Sequence, residues 1–471
     1  MIRCTNRRLI VNNSAPNSAN TSADTDRKYV LHPFTNLSGH EDLGPFTIVG
    51  GEGIYVDDDK GNRLVEAMSG LWCTSLGFSE SRLVDAAMAQ FKKLPYSHLF
   101  SHRSTQPAIE LSERLVEIAP EGISRAFLVN SGSEAVDSAI KMVWYYFNAL
   151  GLPKKKRLIA RKRSYHGVTV AAGSLTGLPY AQNGFDLPAI DVMHCETPHY
   201  YRNGRDGESE AEFTDRIVNE LEQQILDADP DTIGAFFAEP VMGAGGVLIP
   251  PAHYFEKVQA VLKKHNILFV ADEVICGFGR TGNMWGCDTY NIKPDMITCA
   301  KQLSSAYQPI GAVLISERMY DAFVSGSNTH GVFGTGNTYG GHPVASAVAL
   351  ETLNIYRDDN MLEHVRTVSK TFMKRIGEFG SHPLVGDARG IGLIGAFELV
   401  KDKSTKEQFP PSDKVAAQVM AAARQHGLIT RALPGDGVGV CPPLIITETQ
   451  INDMFDRYQL ALDTVHQKLS G

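Results

Sequence analysis

Two charged residues with complementary chemistry each follow a short apolar run. Asp272 follows the run 267–271, and Lys301 follows the run 296–300. If both runs are strands of one sheet, the carboxylate and the amine reach the edge where ligands of open α/β sheets bind. An amine can form a Schiff base with an aldehyde, and a carboxylate can keep a pyridine nitrogen protonated, so the pair suits pyridoxal 5'-phosphate. Taken alone, each residue is more often a solvated charge.

A strand, a small-residue loop and a helix together predict an anion site. Residues 126–129 suit a short buried strand, residues 130–133 are small, and residues 134–147 have helical apolar spacing. Unpaired N–H groups at the start of a helix attract phosphate, the Ser133 hydroxyl adds a donor, and Gly132 permits close approach of a ligand. A plain helix cap also favours Ser and Asn, so the loop alone leaves both interpretations open.

An aromatic residue follows a further strand candidate. Residues 157–160 predict a short strand, and Tyr165 comes after it in the segment 164–167, Ser-Tyr-His-Gly. Tyr165 can therefore lie flat on a planar cofactor ring, a contact that leaves the polar atoms of the ring free. As an isolated residue it would more often be half-buried packing.

With these features in place, the sequence resembles the class III aminotransferases, the ω-amino-acid group within the fold-type I pyridoxal phosphate enzymes. The resemblance covers the chain from Tyr29 to the C-terminus. It rests on six motifs in the expected order: residues 70–72 (GLW), 130–135 (NSGSEA), 165–167 (YHG), 271–282 (ADEV through GFGRTG), 300–301 (AK) and 338–343 (TYGGHP). No single motif is decisive, but six in register are rarely a coincidence.

The resemblance implies a role for each residue around the cofactor ring. Lys301 would form the Schiff base, and Asp272 would hold the proton on the pyridine nitrogen. Tyr165 and Val274 would lie on the two faces of the ring, and Glu239 would support the site from behind.

The resemblance also implies how phosphate and substrate are held. Gly132 and Ser133 would bind the phosphate, joined by Thr338 of the partner subunit in a homodimer with shared active sites; a tetramer is the alternative. Arg431 matches the mobile arginine that binds substrate carboxylates, and its planar guanidinium suits bidentate contact with them. Trp72 would line the substrate pocket with Tyr165, Leu71 and Phe100.

Three positions depart from the family pattern. Val136 stands where many relatives have Asn, Gln302 follows the lysine where Gly is common, and Gly340 replaces a frequent Ser. None of them removes a group from the chemistry described above. The segment 301–305 also resembles a subset of the family that uses pyruvate.

The fold expected from the alternation of short apolar and helical segments is α/β. The resemblance implies fold type I, with a mainly parallel seven-stranded sheet in a large domain and a smaller α+β domain formed by both termini. We predict a disordered segment at 1–28, the small domain at 29–80 and 346–471, and the large pyridoxal-phosphate domain at 81–345. Residues 55–64 predict a hairpin.

The expected function is transfer of an amino group from an amine or ω-amino acid to a keto acid, with pyruvate as the expected acceptor. The reaction would follow a ping-pong course through pyridoxamine phosphate. The donor stays open among β-alanine, taurine, 4-aminobutanoate and arylalkyl amines. An aminomutase and a decarboxylating transaminase are alternatives on the same site, and a non-catalytic amine sensor is an alternative of another class, although it would ordinarily carry a DNA-binding module.

Composition narrows the partners and the location. The 471 residues are 43% hydrophobic and carry a net charge of -8, which argues against a nucleic-acid partner. Residues 161–163, Arg-Lys-Arg, predict a solvated strand end.

The 7 cysteines include no Cys-x-x-Cys pair, and no histidine cluster has ligand spacing, so we expect reduced thiols, no metal and a cytoplasmic protein. No apolar run is long enough for a membrane span. The basic, Ser-rich start leaves a mitochondrial transit peptide as the less favoured alternative.

One motif favours a different enzyme. Residues 277–282, Gly-Phe-Gly-Arg-Thr-Gly, fit the dinucleotide fingerprint G-x-G-x-x-G. That fingerprint needs a helix that starts within the glycines, and residues 283–287 do not predict one. We therefore do not expect a dehydrogenase.

Overall fold

The structure, a computed structural model, describes residues 21–470, which form sixteen α-helices and fifteen strands. The helices are α1 (Ser22–Tyr29), α2 (Leu37–Leu43), α3 (Ser69–Trp72), α4 (Ser81–Lys93), α5 (Gln106–Glu117), α6 (Gly132–Ala149), α7 (Val170–Leu175), α8 (Tyr200–Asn203), α9 (Glu210–Asp227), α10 (Tyr254–Lys264), α11 (Gly286–Tyr290), α12 (Glu317–His330), α13 (Pro343–Asp358), α14 (Met361–Glu378), α15 (Val415–Gln425) and α16 (Glu448–Ser470). The strands are β1 (Ile48–Glu52), β2 (Tyr55–Asp58), β3 (Arg63–Glu66), β4 (Ile123–Val129), β5 (Arg157–Arg161), β6 (Val192–Cys195), β7 (Ile233–Ala238), β8 (Leu268–Asp272), β9 (Met296–Cys299), β10 (Gly311–Ser316), β11 (Val385–Ile391), β12 (Ile394–Leu399), β13 (Leu428–Ile429), β14 (Arg431–Leu433) and β15 (Gly437–Val440).

The first helix occupies part of the segment that we predicted to be disordered. The Thr21 hydroxyl accepts a hydrogen bond from the backbone N–H of Asp24, and the Asp24 carboxylate accepts one from the backbone N–H of Thr21. This reciprocal cap satisfies two N–H groups that a helix start leaves unpaired. Residues 22–28 are therefore helical rather than disordered. Residues 1–20 of the predicted segment lie outside the described residues.

The described residues divide into two compact units. One contains 21–50 and Asp57–Asn62, and the other contains Gly51–Val56 and 63–470. The turn of the predicted hairpin belongs to the first unit, where the carbonyl of Asp58 accepts a hydrogen bond from the N–H of Gly61. Strand β2 ends at Asp58 and β3 begins after the turn, as the sequence predicts.

A seven-stranded sheet forms the centre of the second unit, in the order β4-β10-β9-β8-β7-β5-β6. Strands β9, β8, β7, β5 and β6 are parallel, and β10 is antiparallel to both of its neighbours. The mainly parallel seven-stranded sheet is therefore confirmed. Antiparallel β10 begins at the edge where β4 and β9 end, so its first residue lies between those two strand ends.

The strands near the centre of this sheet are buried on both faces. In β8 the side chains of Leu268 and Val270 belong to one hydrophobic cluster, and those of Phe269 and Ala271 belong to another. Successive strand residues point to opposite faces, so helices cover both sides of the sheet. This explains why the strands are continuous apolar runs that end abruptly in polar residues.

A smaller antiparallel sheet has the order β11-β12-β15-β14, and all four strands come from the C-terminal part of the chain. Nearby in sequence, the two-residue strand β13 pairs in parallel with β3 of the N-terminal part, with Leu428 opposite Val65. This pairing joins a strand of the N-terminal part to a strand of the C-terminal part. The domain boundaries 29–80, 81–345 and 346–471 stay a proposal.

The helices of residues 21–470 include none that is long and apolar enough to cross a membrane.

Candidate active site

The amine and the carboxylate lie at the ends of neighbouring parallel strands. Asp272 is the last residue of β8 and is opposite Thr298 of β9. Lys301 follows Thr298 by three residues and begins a 3-10 turn, Lys301–Ser304. The two apolar runs are thus adjacent strands of one sheet. The structure brings Lys301 and Asp272 to the same edge, as the sequence predicts.

The surroundings of Lys301 favour its uncharged form. Burial lowers the pKa of the Lys301 amine, and the positive charge of Arg431 lowers it further, while Cys73 and Asp272 act in the opposite direction. The Lys301 Nζ lies 5.7 Å from the centroid of a Trp72 ring. A lysine with a lowered pKa contains more free base near neutral pH, which a nucleophilic amine requires.

Asp272 is held by two donors. It is 2% exposed, and its Oδ2 lies 2.7 Å from Nδ1 of His166, while its Oδ1 accepts a hydrogen bond from the N–H of Val274 at 3.1 Å. Among residues 21–470, His166 Nε2 has no hydrogen-bond partner, and it lies 3.8 Å from a carboxylate oxygen of Glu239. The motif 165–167 contains His166, but the sequence alone predicts no role for it. The position of His166 directly after Tyr165 is the one feature of the sequence that could have pointed to a place in the site.

Glu239 connects two strand ends behind the site. It follows β7, its Oε1 accepts from the N–H of Tyr165 at 3.1 Å, and its Oε2 lies 3.1 Å from Arg161 Nη2. Arg161 is fully buried at the end of β5, and Arg163 is also partly buried, so the prediction of a solvated Arg-Lys-Arg strand end is wrong. Only Lys162 is exposed. The buried carboxylate explains why an arginine is tolerated at this place.

The loop between β4 and α6 has the predicted geometry of a phosphate site. The Ser131 hydroxyl caps the helix by accepting from the N–H of Glu134 at 3.2 Å, and α6 begins at Gly132. The Ser133 hydroxyl oxygen accepts from the N–H of Val168 at 3.2 Å, which leaves its hydrogen available to donate. A Cβ on Gly132 would lie 3.0 Å from a methyl group of Val274, so glycine permits this close approach.

A tryptophan and an arginine face each other near the lysine. Trp72 is 3% exposed, and the guanidinium carbon of Arg431 lies 4.8 Å from a Trp72 ring centroid. Burial lowers the pKa of Arg431, while Tyr180 and Tyr165 oppose the shift. Arg431 stays protonated because an arginine pKa begins so far above neutrality. Tyr180 is a neighbour that the sequence pattern does not identify; it lies in the short 3-10 helix Pro179–Ala181 that follows α7.

Some predicted residues are exposed in the single chain. Thr338 lies on the surface, where its carbonyl accepts from the Tyr96 hydroxyl at 2.9 Å. Leu71 is 58% exposed and Phe100 is 46% exposed, so neither is enclosed as a pocket wall within one chain. Asn337, next to Thr338, donates to the Glu134 carboxylate at 3.0 Å, which ties this loop to the start of α6.

The dinucleotide motif lacks the helix that its chemistry needs. After residues 277–282 the next helix, α11, begins only at Gly286. Its first N–H groups, from Gly286 and Cys287, donate to the Glu273 carboxylate at 2.9 and 2.6 Å. Burial raises the pKa of Glu273 to about 7. A protein carboxylate therefore occupies the position that a pyrophosphate would take, which argues against a dehydrogenase.

Within residues 21–470, two groups of metal-ligand side chains converge that include none of the residues described above: Asp26, His32 and His40, and His199, Asp387 and Glu398. In the first group both imidazoles contact Asp26 Oδ1, at 2.8 and 3.1 Å. In the second, Arg389 Nη1 lies 2.8 Å from the Glu398 carboxylate and supplies positive charge. Both groups are explained by contacts among the side chains themselves. Local sequence spacing did not reveal either one.

The residues at the strand ends fit pyridoxal phosphate. The desolvated amine of Lys301 suits the aldehyde, and the buried carboxylate of Asp272 suits the ring nitrogen. The start of α6, with the hydroxyl hydrogen of Ser133 available to donate, suits the phosphate. The fold and the site thus define a pyridoxal-phosphate enzyme of fold type I.

Comparison with known proteins defines the family. The profile of the family Aminotransferase class-III matches residues 38–462, so the chain belongs to the class III aminotransferases, which use pyridoxal phosphate. The chain is 48% identical over 441 residues to "Gamma aminobutyrate transaminase 3, chloroplastic" of Solanum lycopersicum, covering 93% of this chain and 85% of the relative.

Two solved structures have the same fold. The omega transaminase from Pseudomonas jessenii in complex with PMP has a TM-score of 0.94 and 49% identity, and the match covers 96% of this chain and 99% of that one. A structure described as "Transaminase with L-ala" has a TM-score of 0.88 and 50% identity, covering 90% of this chain and 100% of that chain.

We predict that His166→Ala lowers kcat by about tenfold to a hundredfold, because a hydrogen bond to a buried charged group contributes about 1.5–3 kcal/mol. Steady-state kinetics under saturating cofactor measures the effect. His194→Ala is a matched control, since His194 bonds to the Leu175 carbonyl rather than to Asp272. Equal losses in both variants would contradict a specific role of His166.

Proposed function

We propose that this aminotransferase moves an amino group from an amine or ω-amino acid to pyruvate by a ping-pong mechanism. The observation that carries the proposal is the placement of Lys301 and Asp272 on adjacent strand ends, with Arg431 beside the same tryptophan as the lysine. Lys301 and Asp272 are the proposed catalytic residues. Gly132, Ser133, Tyr165, Glu239, Val274 and Thr338 are the remaining proposed cofactor-binding residues.

Bound pyridoxal phosphate supplies an aldehyde that holds the substrate nitrogen and a ring that accepts an electron pair. Lys301 Nζ would take the proton from the substrate carbon next to nitrogen and would donate it again in the second proton transfer. The lowered pKa of Lys301 keeps the amine able to accept this proton. Asp272 holds the proton on the ring nitrogen, and its bond to His166 keeps its Oδ2 oriented.

The keto acid is proposed to bind through Arg431. A guanidinium can contact both oxygens of a carboxylate, and partial burial strengthens the contact. Pyruvate is the proposed acceptor because the structure described with L-ala holds the amine that pyruvate becomes. 2-Oxoglutarate is the alternative. For an amine without a carboxylate, Arg431 must turn away, since an unpaired buried guanidinium is costly.

The donor is proposed to be 4-aminobutanoate, which the name of the plant relative supports. β-Alanine, taurine and arylalkyl amines are further candidates, and the Trp72 wall suits an apolar group. A panel of these donors against pyruvate and 2-oxoglutarate, followed by product formation, tests the proposal. We expect turnover with 4-aminobutanoate and pyruvate. Turnover only with 2-oxoglutarate would exclude the proposed acceptor, and loss of carbon dioxide or amino-group migration would favour the decarboxylating or aminomutase alternative.

A homodimer is proposed as the working form, with a tetramer as the alternative. Leu71, Val332 and Tyr339 are exposed large apolar residues, and exposed apolar surface of this kind is typical of protein interfaces. Thr338 lies in the same exposed loop as Tyr339 and would reach the phosphate of the partner subunit. A cytoplasmic location is proposed, and an organelle is the alternative that the chloroplastic relative supports.

Lys301→Ala is predicted to reduce turnover by about three orders of magnitude or more, because no other group can replace a nucleophile and base at this position. The variant should still bind pyridoxal phosphate noncovalently. Borohydride reduction and mass spectrometry then show no covalent adduct, whereas the wild type gives one. Retained turnover, or an unchanged adduct, would exclude Lys301.

Arg431→Ala is predicted to raise the KM for pyruvate by about tenfold or more, since the variant loses a charge-assisted hydrogen-bonded contact. The KM for a carboxylate-free amine should change little. Arg424→Ala, which removes a partly buried arginine of α15, is the matched control. An equal rise for both substrates would show that Arg431 acts on something other than the carboxylate.

A further inference from the structure

The residue after the lysine has every polar group of its side chain paired. Gln302 is 1% exposed, and its Nε2 donates to the carbonyl of Ile275 at 2.8 Å and to that of Gly277 at 2.9 Å. Its Oε1 accepts from Arg280 Nη2 at 3.2 Å. Ile275 and Gly277 belong to the loop that follows Asp272. Gln302 therefore links the turn that contains Lys301 to the loop that follows Asp272.

The arginine behind Gln302 is buried and has only neutral acceptors within residues 21–470. Arg280 Nη1 donates to the carbonyls of Leu393 at 3.0 Å and Pro442 at 2.7 Å, and Nη2 has a longer contact with the Ser69 hydroxyl at 3.4 Å. Ser69 begins the turn that carries Trp72. Burying a guanidinium without a carboxylate is costly, so these oxygens must be held firmly in place.

The backbone of Lys301 needs such support. Its φ is 47°, in the left-handed region that residues with a Cβ adopt at a cost of about 1 kcal/mol or more. The turn itself provides a 3.0 Å bond from Leu303 N–H to the Ala300 carbonyl and a longer 3.4 Å bond from Ala306 N–H to the Lys301 carbonyl. Backbone strain persists only where the surroundings hold it. The three side-chain bonds of Gln302, one residue further on, provide this constraint.

We propose that Gln302, supported by Arg280, is a positioning residue that fixes Lys301 Nζ relative to Asp272. The inference rests on the proposed role of Lys301. A glycine at this position could make none of these contacts. This chain therefore has a specific connection between its amine and its carboxylate.

Gln302→Leu tests the proposal because leucine has a similar size and removes all three hydrogen bonds. In the cofactor-free protein, stopped-flow absorbance measures how fast Lys301 captures pyridoxal phosphate. A separate titration measures the affinity for pyridoxamine phosphate, which has no aldehyde and forms no bond with lysine. We expect capture to slow by about tenfold to a hundredfold, because misplacing a reacting group by about 1 Å has an effect of this size. The affinity for pyridoxamine phosphate should stay at the wild-type value.

Two further variants keep the test decisive. Gln302→Gly, which removes the whole side chain, replaces Gln302→Leu if that variant does not fold, and it should slow capture in the same way. Gln90→Leu is the matched control, since Gln90 is a buried glutamine of α4 whose Nε2 donates to the Leu94 carbonyl. It should capture pyridoxal phosphate at the wild-type rate.

The outcomes separate this inference from the proposed function. If Lys301→Ala captures pyridoxal phosphate as the wild type does, the role of Lys301 fails and the positioning role fails with it. If capture requires Lys301 but Gln302→Leu and Gln302→Gly match the wild-type rate, only the positioning role is overturned. An equal loss of affinity for pyridoxamine phosphate would also overturn it, since that result shows a general disturbance of the site.

Discussion

The parallel pairing of β8 with β9 is the constraint on which the site depends. It sets Asp272 opposite Thr298, so a carboxylate and an amine three residues further along meet at one sheet edge. Parallel pairing requires both faces of the sheet to be covered, and this leaves the strand ends as the places where polar groups can gather. A one-residue shift of register would turn Asp272 toward the other hydrophobic cluster.

Buried carboxylates at this sheet edge need hydrogen-bond or ion-pair partners, because they are removed from water. Asp272 is matched by His166, and Glu239 is matched by Arg161. Within residues 21–470, the hydrogen-bond donors of Glu273 are the backbone N–H groups of Gly286 and Cys287 and the Cys287 thiol, none of which is a cation, and burial raises the pKa of Glu273 to about 7. Neighbouring carboxylates of similar sequence context thus have different partners: imidazole and guanidinium groups contact Asp272 and Glu239, and backbone N–H groups and a thiol contact Glu273. The environment, rather than the residue type, assigns their roles.

Local sequence pattern predicts strands β4, β5, β8 and β9, the hairpin of β2 and β3, the small-residue loop before α6 and the edge shared by Lys301 and Asp272. It was not sufficient for the groups that support them. Arg161 was taken for a solvated charge because its partner Glu239 is 78 residues away, and His166 had no assigned role because Asp272 is 106 residues away. Contacts of this separation leave no periodic trace along the chain, so only the folded structure reveals them.

The antiparallel strand β10 fixes the distance between the anion loop and the amine turn. Gly311 begins it between the end of β4 and the end of β9, where a Cβ would lie 2.9 Å from the Ser131 carbonyl and 3.0 Å from the Cys299 carbonyl. The anion loop and the amine turn are therefore separated by two strand spacings, about 9–10 Å. Because β10 pairs with both strands, the backbone itself fixes how far apart the anion loop and the amine turn lie, whatever side chains surround them.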